Sequence, residues 1–167
     1  MKVTDYAPRA APFDSYLKGR YLVGAEIGVD VGAHAQALLQ YCNVAMLHLV
    51  DIWPNAWCRG YCEGRLNALG LGKRYTAHAV GSHQAAQRFE PASLDFIYVD
   101  QEHDLLAVSG DLMAWWPLLK SGGVLGYRNY TGRDTPLDKA VDAFLRGCAE
   151  AGDVKREAGE LVLFKRA

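Results

Sequence analysis

No run in this sequence reaches the roughly 18 to 20 consecutive apolar residues that a membrane-spanning helix needs. The opening MKVTDYAPRAAPFDSYLKGR also lacks the apolar core of a secretory signal. No membrane partner is expected, and a cytoplasmic location is. A basic excess is missing too. The 18 Lys and Arg stand against 19 Asp and Glu, for a net charge of −1, whereas a nucleic-acid partner normally shows as a basic stripe. The basic residues of the closing KREAGELVLFKRA alternate with apolar ones and read as a strand. Nucleic acid is therefore disfavoured. Cysteine is scarce: Cys42, Cys58, Cys62 and Cys148 are too few for a disulfide scaffold in 167 residues. Cys58 and Cys62 lie one helical turn apart and could share half a metal site, but no second Cys/His pair stands at zinc-finger spacing. Free thiols are expected. Repeats and low-complexity linkers are absent, so the expectation is one domain over 1–167, with 1–20 as an N-terminal extension.

What the sequence has is alternation. Short apolar runs at 21–29, 45–53, 74–80, 94–100 and 121–130 read as strands, and helical spacing fills 33–42, 55–70, 82–89, 105–119 and 136–152. Ser82 stands as an N-cap for the third helix, and the tail reads as a β-hairpin turning near Ala158-Gly159. Strands alternating with helices predict an α/β fold, a mostly parallel sheet covered on both faces. Such sheets bind ligands beyond the carboxyl ends of their strands. That rule selects the loops at Gly28, Asp51, Val80, Asp100 and Arg128.

The first of these is EIGVDVG, with Glu26, Gly28 and Gly32. A glycine after a strand lets the backbone approach a ligand, and the following helix offers free N–H groups. Its G-x-x-x-G spacing is not the G-x-G-x-x-G of the dinucleotide fingerprint. Asp51 follows about 20 residues later, where an acid grips a ribose diol. It points to a nucleoside without choosing the cofactor, with Ile52 and Trp53 as an apolar wall for adenine, against the plainer reading of a solvated strand-end acid. In YVDQEHD, Asp100 precedes His103 by three residues and could orient it as a general base. Trp115 and Trp116 read as helix packing, and His34, His48, His78 and His83 show no metal-ligand spacing.

Taken together, VGAEIGVDVGAHAQALL, LHLVDIWP, LDFIYVDQEHDLLAVSGDLMAWWPLLKSGGVLG and PLDKAVDAFL resemble class I S-adenosylmethionine-dependent methyltransferases. The likeness is to the small group with an Asp-Gly-Asp-His-like motif after strand four. It implies a Rossmann-like seven-stranded sheet of order 3-2-1-4-5-7-6 with strand seven antiparallel. It assigns Glu26, Gly28 and Gly32 to the methionine half of the cofactor, Asp51 to the ribose, Gly81 and Ser82 to the loop closing on adenine, Asp100 to the sulfonium side and His103 to catalysis.

Two departures stand out. DQEH replaces Asp-Gly-Asp-His, and GYRNY replaces Gly-Gly-His-Asp-Tyr. Relatives that use a divalent cation hold it with the acid after strand four and a pair after strand five. Asp100 and Asn129 would face one another across roughly 4.8 Å, but Arg128 brings a positive charge that repels a cation. A metal is therefore disfavoured. Arg128 instead pairs with Asp100 or fixes an anionic group, such as a carboxylate or phosphate, on a small-molecule acceptor. The resemblance implies methyl transfer to an oxygen or nitrogen nucleophile. The alternatives are an inactive methyltransferase-like module that binds a nucleoside or a partner, and an NAD-linked oxidoreductase. Little material is left for an acceptor lid, so the site is open or is completed by a second subunit of a homo-oligomer. Tyr6, Phe13, Tyr16 and Arg20 are the local candidates for that.

Overall fold

The apolar runs at 21–29, 45–53, 74–80, 94–100 and 121–130 each become a strand of one sheet. The computed structural model describes residues 21–101, 104–131, 133–157 and 159–167. The strands are β1 (Leu22–Ile27), β2 (Val44–Asp51), β3 (Tyr75–Ala79), β4 (Leu94–Val99), β5 (Leu119–Tyr130), β6 (Ala151–Glu157) and β7 (Gly159–Lys165). Their order is β3-β2-β1-β4-β5-β7-β6. β7 runs antiparallel to both β5 and β6, while β1/β2, β2/β3 and β4/β5 pair in parallel. The implied strand order and the antiparallel seventh strand are thus found. Two compact units divide the chain, one through Gly81 and the other from Ser82.

In the first unit, α1 (Ala33–Tyr41) and α2 (Ala56–Ala68) follow β1 and β2. Asn55 caps α2 by accepting from the Trp57 N–H, and left-handed Gly70 lies just past its end. α1 starts from left-handed Gly32 with no side-chain cap.

In the second unit, α3 (Ser82–Ala86), α4 (Leu105–Trp115) and α5 (Pro136–Gly147) follow β3, β4 and β5. Asp104 caps α4 by accepting from the Leu106 and Ala107 N–H groups. A short 3-10 turn at Trp116–Leu118 ends the helical stretch because Pro117 cannot continue it. Trp115 and Trp116 are buried, as read from the sequence. Thr135 caps α5, whose first residue, Pro136, has its φ already set for a helix.

Most boundaries shift by a residue or two from the sequence reading, and three differences stand out. α3 stops at Ala86, and Ser82 is its first residue rather than its cap. α5 stops at Gly147 because Ala151 already pairs with Lys165. β5 begins two residues early, its added turn absorbed by left-handed Gly122 and a register slip against β4.

The α5 end of this unit is fixed by charge. Asp138 is buried; Arg156 Nε donates to it at 2.7 Å and the Asp134 N–H at 3.2 Å, while Arg156 also reaches Asp142. Burial pushes the Asp138 carboxyl up, but the hydrogen bonds and the charges of Arg156 and Arg133 outweigh it and hold it below the usual value. The folded state therefore binds this proton less tightly than the unfolded chain. The contribution is present above the ordinary carboxylate range, near about 4, and is lost as pH falls through the lowered value. Asp138→Asn is expected to lower stability at neutral pH and to flatten the acid limb, as read by urea melts at neutral and acid pH. An acid limb as steep as the parent's would rule this contribution out.

Candidate functional site

In the first unit the loop after β1 carries three left-handed residues, Gly28 at φ 86°, Asp30 at 50° and Gly32 at 71°. Asp51, at the end of β2, holds that loop. Its Oδ2 accepts from the Val29 N–H at 2.8 Å and the Asp30 N–H at 2.9 Å, and its Oδ1 from the Trp53 N–H at 2.7 Å. Trp53 closes the arrangement: its Nε1 donates to the Asp30 carbonyl at 2.9 Å, with Arg59 over its ring. Trp53 is therefore packed into the two loops, while Ile52 beside it is 64% exposed and open to a ligand. A carboxylate offers about four acceptor positions. Asp51 spends three on backbone N–H groups of the described residues, which leave one.

Glu26 is buried at the end of β1, with His34 Nδ1 3.3 Å from its Oε1. His34 was read as scattered; its place in the first turn of the helix after Glu26 was the signal for this contact. Gly32 has a packing reason to be glycine, since a Cβ there would lie 2.3 Å from Cys62 Sγ. Burial, with the Glu26 charge second, pushes the Cys62 thiol up to about 12. All four cysteines are free, as expected. Gly81, at the end of this unit, has open space where a side chain would stand.

In the second unit the Ser82 hydroxyl is already occupied. It donates to Asp111 Oδ1 at 2.6 Å and accepts from Trp115 Nε1 at 2.8 Å. Gln101 Nε2 donates to Asp111 Oδ2 at 2.7 Å. This buried carboxylate was missed in the sequence, where its signal was an acid inside the apolar LLAVSGDLMAWW. Burial, then the Asp111 charge, pushes the Tyr127 phenol up.

At the end of β4, Arg128 Nη1 donates to Asp100 Oδ2. The register aligns Val99 with Tyr127, so the residue level with Asp100 is Arg128 rather than Asn129. Asn129 is exposed, left-handed at φ 61°, and is the extra residue in a slip against β7. Across that pairing Arg128 stands opposite Glu160, which accepts from Tyr98 Oη at 2.9 Å over the side-chain-free Gly126. The guanidinium thus lies between two strands that each carry an acid. Among the described residues no group of three or more His, Cys, Asp and Glu is placed to hold a metal. Gln101 belongs to the Asp111 network, and His103 lies outside the described residues.

Solved structures share this architecture. A Corynebacterium glutamicum protein is 18% identical at a TM-score of 0.75, with 99% of this chain and 89% of that chain covered. The SAM-dependent O-methyltransferase of Thermotoga maritima is 12% identical at 0.73, with 96% and 65% covered. The O-methyltransferase TomG of Streptomyces achromogenes, involved in tomaymycin synthesis and solved in complex with SAM, is 14% identical at 0.73, with 96% and 80% covered. At such identities the likeness shows the fold. No curated protein sequence matches this one. Residues 25–130, which hold the loops after β1, β2 and β4 and all of β5, match the methyltransferase domain family, and the chain belongs to that family.

Proposed function

We propose that the 167 residues act as one S-adenosylmethionine-dependent methyltransferase domain, acting on an oxygen or nitrogen nucleophile of a small-molecule acceptor. The observation that carries this is Asp51, which shapes the loop after β1 through the Val29 and Asp30 N–H groups, holds the Trp53 N–H after β2, and has an acceptor position left for a ribose hydroxyl. The left-handed turn at Gly28, the buried Glu26 carboxylate and the exposed Ile52 complete a polar and apolar surface suited to a nucleoside and an amino-acid tail. When bound, the cofactor supplies an electrophilic methyl group. Glu26, Gly28, Gly32, Asp51, Ile52, Gly81 and Ser82 are the residues assigned to holding it, with Asp100 on its reactive side. Ser82 acts through its backbone, since its hydroxyl is engaged.

On the acceptor side, His103 takes the proton from the nucleophile and Asp100 orients the reacting groups. Positioning of this kind supplies much of the rate in such transfers. Arg128 donates to Asp100, and the planar fork of a guanidinium matches a carboxylate or phosphate on the acceptor. No catalytic step requires a metal here: a fixed cation already neutralises the acid after β4.

Thermal melts with S-adenosylmethionine, S-adenosylhomocysteine or NAD, each with and without magnesium, test this reading. Stabilisation by the first two alone, unchanged by magnesium, is the expected result. Stabilisation by NAD alone overturns it. Arg128→Ala is expected to weaken binding of the acceptor, once screening has found one, more than binding of S-adenosylhomocysteine. Equal losses in calorimetry would refute that role. The Asp100–Arg128 pair also favours a second reading, a nucleoside-binding module without turnover. Cofactor binding with no labelled product across acceptor libraries would select it.

A further inference from the structure

His48 and His78 are 30 residues apart in sequence and meet on adjacent strands of the first unit. His48 Nδ1 lies 3.1 Å from His78 Nε2, with ring centroids 5.3 Å apart and planes tilted by 43°. The register pairs His48 with Thr76, so His78 is the next residue along β3 on the same face. By the same alternation they lie on the face opposite Glu26, Leu49 and Asp51, away from the loops assigned to the cofactor.

The 3.1 Å separation is that of a hydrogen bond between the rings, and it also falls in the range that two ligands of one metal ion take. Metal–nitrogen bonds of about 2.0 to 2.1 Å put neighbouring ligands roughly 2.9 to 3.4 Å apart for angles between octahedral and tetrahedral. Both rings are half-buried, and Thr76 beside them is exposed. Thr76 Oγ1 is 3.8 Å from the Met46 thioether, which adds a soft donor to the neighbourhood. Two imidazoles with a thioether nearby suit zinc or copper and not magnesium or calcium.

We propose that His48 and His78 form a two-histidine site for a transition-metal cation of the zinc or copper type, pinning edge strand β3 to β2. Coordination uses the lone pairs of His48 Nδ1 and His78 Nε2. The ring that donates in the metal-free pair moves its proton to its other nitrogen, so two neutral imidazoles release no net proton on binding.

The test is titration of the full-length, 15N-labelled chain with zinc chloride at neutral pH, reading imidazole nitrogens by long-range proton–nitrogen spectra. His48 Nδ1 and His78 Nε2 should shift together and saturate at one zinc per chain, with a matching rise in melting temperature. His78→Gln should abolish both. A shift in only one ring, or in neither, overturns the proposal. So does an equal rise in melting temperature in the folded double variant His48→Gln/His78→Gln, which would place the zinc elsewhere. The wild-type spectra need no variant, so a misfolded substitution leaves the test intact.

Discussion

Gly32→Ala is expected to lower the melting temperature by about 4 to 20 °C. Two causes add. At φ 71° an L-residue carries strain of about 1 to 2 kcal/mol. The new Cβ would also lie 2.3 Å from Cys62 Sγ and 3.2 Å from Cys62 Cβ, and overpacking of this kind costs about 1 to 3 kcal/mol. Cys62 is wholly buried on α2 and cannot swing away cheaply. In the Gly32→Ala/Cys62→Ala variant the sulfur is gone but the strain and the 3.2 Å contact with Cβ of residue 62 remain, so the double variant should recover only the sulfur's share of the packing penalty. Since the Cys62 thiol stays protonated far above neutrality, the penalty should be constant between pH 6 and about 9. A Gly32→Ala protein that melts with the parent would remove this account of the loop.

Asp51→Ala should reduce affinity for S-adenosylhomocysteine by more than about 100-fold and destabilise the fold as well. The first effect combines the loss of a charged hydrogen bond, about 1.5 to 3 kcal/mol, with the loss of the anchor that shapes the loop after β1. The second follows from the orphaned donors. Val29 and Trp53 are buried, and each unsatisfied N–H costs about 1 to 3 kcal/mol, whereas the Asp30 N–H can turn to water. Asp51→Asn separates the two roles. Its single carbonyl oxygen can serve Val29 and Asp30, leaving an N–H pointed at the Trp53 N–H, so part of the stability should return. Calorimetry with S-adenosylhomocysteine, beside melts of both variants, reads the outcome. Unchanged affinity with lowered stability would make Asp51 a loop staple and nothing more.

The strands were legible because buried parallel strands are continuous apolar runs, and the acids ending β2 and β4 stood out against them. Register was not legible. Periodicity does not say which residue of β5 lies level with Asp100. The β4/β5 register, which aligns Val99 with Tyr127, settled that, and it is why Arg128 and not Asn129 meets the carboxylate. Nor does a one-dimensional pattern show that Asp51 spends most of its acceptors on its own backbone. The same limit hid the pairing of His48 with His78, since neighbours across strands can be any distance apart in sequence. Ser82 shows the reverse error: a residue type favoured as a cap is here a bridge between Trp115 and Asp111.

The position of β7 has a consequence for the order of assembly. It lies between β5 and β6, although it is the last strand in the sequence. Until residues 159–165 arrive, β5 keeps an open edge carrying Leu125 and Tyr127, and β6 has no neighbour at all. An open apolar edge is a template for another chain. The second unit is thus most prone to aggregate while its last strand is missing, and β7 serves as the stopper that ends this exposure.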